Sequence, residues 1–137
     1  MAIKEDRIEN ARKLHEKGYS CSQAVACSFS DKVDLSTEDL FRITEGLGLG
    51  GADTMGTCGA VSGMSVIMAL LTSTGNLEAP ASKANTMKAV RELNKIFRDQ
   101  NGSTICRELK GMDTGKMLRS CPDCITDAVT ILSDAID

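Results

Sequence analysis

Apolar residues recur along this chain mostly at intervals of three and four, the period of helices with one buried face, and no segment alternates as a strand would. The spacing predicts a first helix over roughly 4–17, with Ile8, Ala11 and Leu14 inward and Gly18 as its stop. A second helix begins near Ser20, where Ser20 and Gln23 have capping-box spacing. Its stripe is Cys21, Ala24, Val25, Ser28 and Phe29. A third follows Ser36, carries Leu40, Phe41 and Ile43, and ends at Gly46. From Gly46 to Gly59 glycine is so frequent that regular structure is costly, which predicts a loop or strained backbone.

A buried helix follows from Ala60 to about Ser73, and Gly75 closes it. After Pro80 the pattern gives a long amphipathic helix to about Arg98, with Met87, Val90, Leu93, Ile96 and Phe97 inward and Asn101-Gly102 beyond its end. A short helix near 104–109 precedes two breaks at Gly111 and Gly115. The last helix starts at Pro122, a good first-turn residue, and its stripe is Ile125, Ala128, Val129, Leu132 and Ile136. The expectation is an all-α fold: one compact domain over residues 1–137, about five to six helices, with a Gly-rich loop before a central buried helix.

Composition narrows the function. Aromatic residues make up 3% of the chain, so base stacking and aromatic-cage recognition are poorly supplied. The net charge is −3 and the basic residues are dispersed, which argues against nucleic acid. The most apolar run, Cys58 to Leu71, is too short to span a bilayer, so membrane insertion is not expected. The segment Met1 to Arg7 is polar and charged where an export signal would be apolar. A cytoplasmic location is therefore expected, and six cysteines there would be reduced thiols fit for redox chemistry or metal binding rather than structural disulfides.

Four of those cysteines share a placement. Cys21, Cys58, Cys106 and Cys121 each lie at or just inside a predicted helix start, after Ser20, Thr57, Ser103-Thr104 and Ser120. Free amides and the positive end of the helix dipole favour thiolate there, the form that attacks disulfides and binds metals. Cys27, six residues after Cys21, points well away from the Cys21 stripe and reads as packing. Cys121-Pro122-Asp123-Cys124 is a CxxC at a helix start, a dithiol spacing, although no strand precedes it as the thioredoxin fold would require. Cys124 is thus a further candidate, with a half-buried packing role as its alternative. Arg107, Lys116 and Arg119 are nearby cations suited to holding thiolates.

Other patterns carry less. Gly46 to Gly51 matches GxGxxG by letter but lacks the βαβ context of a dinucleotide site; a loop whose amides approach Cys58 is the better reading. Gly59 and Gly63, four apart, would let a neighbouring helix pack closely. His15 is the only histidine and reads as a partly buried structural residue, there being no second His to complete a usual metal pair.

The sequence Gly56-Thr57-Cys58-Gly59-Ala60-Val61-Ser62-Gly63, with Gly18-Tyr19-Ser20-Cys21-Ser22-Gln23-Ala24-Val25 ahead of it and Cys106 and Cys121 behind, resembles the redox-active family named for its C, GCAxxG, C, C pattern. Gly59 stands here between Cys58 and Ala60. The resemblance covers nearly the whole chain and implies a compact helical domain with four defining cysteines: Cys21, Cys58, Cys106 and either Cys121 or Cys124. It also implies a redox role. Some relatives join the domain to c-type haem; this chain has no CxxCH, so covalent haem is not expected.

Three functions follow. The first is dithiol–disulfide chemistry or electron transfer by Cys21, Cys58, Cys106, Cys121 and Cys124, with an unidentified redox partner. The second uses Cys21, Cys58, Cys106 and Cys121 as ligands to an iron–sulfur cluster or zinc. The third is a helical interaction module with structural cysteines, whose long helix or whose Met55, Met64, Met68 and Met87 would form a face for a homo-oligomer.

Overall fold

A computed structural model describes residues 3–137. Its helices are α1 (Lys4–Glu16), α2 (Cys21–Cys27), α3 (Thr37–Thr44), the single turn α4 (Gly48–Gly51), α5 (Gly59–Thr72), α6 (Lys83–Asn101), α7 (Cys106–Lys110) and α8 (Cys121–Ile136). Among the described residues there is no strand, only one antiparallel bridge between Thr57 and Ile105. The fold is all-α as the periodicity predicts, with more and shorter helices than expected. Among the described residues no helix is long and apolar enough to cross a membrane.

Helix α5 is the hub, packed against α2, α6 and α8, while α1 lies along α8. Its inward residues Ala60, Val61, Met64 and Ile67 are fully buried. The close approach of α2 and α5 depends on missing side chains: a Cβ on Gly63 would stand 2.7 Å from the Ser22 carbonyl oxygen. As a result every residue of α2 is buried, polar Ser22 and Gln23 included. Both are satisfied, since the Ser22 hydroxyl donates to the Thr44 carbonyl at 2.6 Å and the Gln23 amide donates to the Phe41 carbonyl at 3.0 Å. The Ser20–Gln23 capping box forms as its spacing predicts.

Two expectations about faces need correction. In α6 only Leu93 and Phe97 are buried; Met87 and Ile96 are 54% and 43% exposed. The helix rests one narrow stripe on α5 and α8. Of the four methionines proposed for an interface, Met64 and Met68 are core residues. Met55 and Met87 do lie at the surface.

One core residue carries a charge. Arg7 in α1 is 1% exposed, donates to the Ser28 carbonyl and both carboxylate oxygens of Asp31, and lies 4.6 Å from the Phe29 ring centre. A buried guanidinium persists only with such partners. It ties α1 to the end of α2 and so fixes the axis along which Cys21 is presented.

Candidate functional site

Backbone geometry around α4 builds one wall of a cleft. Leu49, Ala52 and Thr54 have left-handed conformations, as do Gly50 and Gly51. Such a run costs energy outside glycine and holds only where the surroundings enforce it. Here main-chain hydrogen bonds do so: Gly56 N–H to Gly50, Cys106 N–H to Gly56, Arg107 N–H to Thr54, and Cys58 N–H to Thr104. The last two residues of that set, with the Thr57–Ile105 bridge, clamp the start of α5 beside the start of α7. Gly50 must lack a side chain, because a Cβ there would be 2.5 Å from Cys106 Cβ. Gly59 must too, because its Cβ would collide with Cys21 Sγ.

The starts of α2, α5, α7 and α8 therefore converge, and with them Cys21, Cys58, Cys106 and Cys121. Cys124, one turn into α8, joins them. These five line a cleft of about 400 Å³ together with His15, Ser20, Glu45, Leu49, Leu109, Lys110 and Arg119. Cys27 lies outside it, buried among apolar side chains, as its helical offset predicts. All six cysteines are free thiols. Both Cys121 and Cys124 lie in the cleft.

The thiols differ sharply in acidity. Cys21 is lowered to about 6, chiefly by the Cys121 side chain hydrogen-bonded to it, against the opposing effect of burial; the amides of Leu49 and Ser22 and the charge of His15 add to the lowering. Cys121 is correspondingly pushed up by that same hydrogen bond. Cys58 is also lowered, chiefly by a hydrogen bond from Cys124, with burial and the Cys21 charge opposing and the free amides of Ala60 and Val61 assisting. Cys124 is pushed up in turn by Cys58. Cys106 has no thiol partner of this kind, and burial raises it. Cys27 is raised by burial.

In acidity the cleft cysteines are linked two by two, Cys21 with Cys121 and Cys58 with Cys124. In each pair one sulfur favours thiolate and the other keeps its proton. The loop amide that assists a thiolate belongs to Leu49 and serves Cys21, whereas Cys58 draws on the first amides of its own helix.

The cations also sort differently from the sequence expectation. Arg107 turns away and binds Asp113 at 2.8 Å through both Nε and a terminal nitrogen, and Lys116 does not line the cleft. Arg119 does line it, held by Asp127 at 2.9 and 3.0 Å. Sequence reasoning missed Lys110; His15 is half-buried as expected and also lines the cleft. The only signal for Lys110 was its place four residues after Cys106, one helical turn away. Among the described residues, no group of three or more His, Cys, Asp or Glu side chains could hold a metal ion as arranged.

Residues 19–135 match the model of the family described as "Putative redox-active protein (C_GCAxxG_C_C)". No curated protein and no solved structure matches the chain.

Proposed function

The chain belongs to the C_GCAxxG_C_C family of redox-active proteins, and on that premise we propose that it is a thiol oxidoreductase in which Cys21 with Cys121, and Cys58 with Cys124, cycle between dithiol and disulfide. The observation that carries this reading is the gathering of five cysteines in one cleft, where Cys21 and Cys58 are made more acidic and Cys121 and Cys124 less so. That is the division of labour that exchange requires: a thiolate to attack and a second thiol to resolve.

The step balances with a disulfide RSSR as oxidant. Cys21 thiolate attacks one sulfur, forming a mixed disulfide and releasing RS⁻. The released thiolate takes the proton of Cys121. Cys121 thiolate then attacks Cys21 Sγ, forming the Cys21–Cys121 disulfide and expelling the second RS⁻. Two electrons pass from the protein pair to RSSR, and the protein's one proton leaves on RSH. The Cys58–Cys124 pair can follow the same course, with Cys58 attacking. Cys106 and Cys27, lacking such partners, stay as thiols.

The test is oxidation of the fully reduced chain by a small disulfide, followed by peptide mapping. The expected result is two reversible disulfides, Cys21–Cys121 and Cys58–Cys124, with Cys27 and Cys106 still open to alkylation after denaturation. Thiols that do not oxidise reversibly would overturn the reading. So would stoichiometric iron and sulfide in the chain purified without oxygen, which would assign the same sulfurs to a cluster instead.

A further inference from the structure

The cleft carries a charge pattern that disulfide exchange does not by itself require. Its volume of about 400 Å³ is that of a small-molecule site. Its sulfurs are recessed: Cys21, Cys58 and Cys106 are each 6% exposed and Cys124 is 2% exposed. A disulfide fixed on a folded protein surface brings its flanking backbone with it and cannot be lowered to such depth. A free, low-molecular-weight disulfide can.

Two basic side chains line this cleft uncommitted. Lys110, the last residue of α7, is half-buried and makes no ion pair with any described residue. His15 on α1 is half-buried on the lining as well, likewise without a carboxylate partner. Arg119 is already bound to Asp127 and approaches Asp123 at 3.9 Å, so its charge is largely spoken for. Glu45 is the one carboxylate in the lining, and it is exposed. The lining is otherwise mostly apolar, formed by the thiols with Leu49, Leu109, Ala52 and glycines. A half-buried ammonium without a carboxylate partner in a mostly apolar recess can receive a carboxylate from a guest. The influence of these charges reaches the sulfurs: Lys110 favours ionisation of Cys106 and Cys121, and His15 that of Cys21.

We propose that the cleft selects small disulfides bearing carboxylates, with Lys110, aided by His15, receiving a carboxylate while Cys21 attacks the sulfur. The inference rests on the thiol-exchange reading and adds the substrate class to it. Lys110 is here a specificity residue that touches substrate without taking part in bond exchange.

The experiment compares three disulfides of similar size on the reduced chain at low ionic strength: dithiodiglycolate, a dianion; bis(2-hydroxyethyl) disulfide, neutral; and cystamine, a dication. The readout is the rate of Cys21 oxidation in acid-quenched samples. With each rate divided by that reagent's rate with a free small thiolate, which removes leaving-group differences, the dianion is expected to react about tenfold faster than the neutral disulfide, and the dication slowest, with the spread shrinking at high salt. In Lys110→Ala the dianion-to-neutral ratio should fall close to one, and in Lys110→Arg it should return. The ratio is the proper measure, because any change in thiolate reactivity caused by the substitution acts on all three reagents alike. Equal rates for the three reagents, or a ratio untouched by Lys110→Ala, would overturn the inference and leave the exchange chemistry standing. Failure of all three to oxidise any thiol would bring down the exchange reading, and this one with it.

Discussion

Helix α2 begins and ends in cysteine, and its two ends behave as different residues. Cys21 and Cys27 are nearly equally buried, at 6% and 5% exposure, in one seven-residue helix. Yet Cys21 is lowered to about 6, while Cys27 is raised above its ordinary 9.0. Burial opposes ionisation at both. What separates them is the company at the helix start: a donor thiol from α8, two backbone amides and an imidazole surround Cys21, whereas burial is the only influence on Cys27. Acidity here is a property of converging helix ends, and burial alone works against it.

The largest expected effect is on the pH profile of alkylation. Cys21 should react with a midpoint near pH 6, ionised above it and protonated below, and Cys27 with a midpoint above 9. Site-resolved iodoacetamide labelling by mass spectrometry measures both, and overlapping midpoints would erase the comparison. Next in size is Cys121→Ala, which removes the main cause of the lowering. It should raise the Cys21 midpoint by about one to two pH units, the size of a hydrogen bond to a charged group. Cys121→Ser keeps a hydroxyl donor, so it should hold the midpoint low while abolishing the Cys21–Cys121 disulfide. An unmoved midpoint in Cys121→Ala would transfer the cause to the backbone amides.

Gly59→Ala comes third. Its added methyl meets Cys21 Sγ and would stand 2.9 Å from Gly48 Cα, at the junction of α2, α4 and α5. A stability loss of about 1–3 kcal/mol by urea unfolding is expected, as for an overpacked core, together with a displaced Cys21 midpoint. The smallest effect is Cys27→Ala, which deletes one buried sulfur at about 1 kcal/mol and should leave the Cys21 midpoint and all disulfide mapping unchanged. A change in redox behaviour there would mean that the two ends of α2 are coupled after all.

Much of this was legible in the chain because it is local. Ser20 with Gln23 and Ser120 ahead of Pro122 announce helix starts through short-range hydrogen bonding, and the cysteines just beyond them are placed by the same signal. Gly59 and Gly63 announced a close neighbour, which proved to be α2. What stayed hidden depends on how distant elements meet. Met87 and Ile96 have helical spacing but no partner helix, and a single sequence cannot show which half of an amphipathic stripe is covered. Arg107 and Lys110 lie three apart on one short helix; the first turns to Asp113 and the second to the cleft, a choice made by the loop after Gly111. The pairing of Cys121 with Cys21 and of Cys124 with Cys58 follows from the packing of α8 against α2 and α5, contacts spanning some hundred and some sixty residues of chain.

The wall built by residues 48–56 has one more consequence. It is held in place by main-chain bonds within itself and to α7, so the identities of its outward side chains are largely free of structural duty. Leu49 and Met55 are 48% and 65% exposed, while Gly50 and Gly59 give the close backbone approach to Cys106 and Cys21. Such a wall is a mould with an interchangeable lip. Gly50, Gly56 and Gly59 hold the reactive geometry constant, and exposed positions such as Leu49 and Met55 can be rewritten to admit a larger, smaller or differently charged guest. Chemistry and admission are encoded by separate parts of the same short loop, so one can drift while the other is kept.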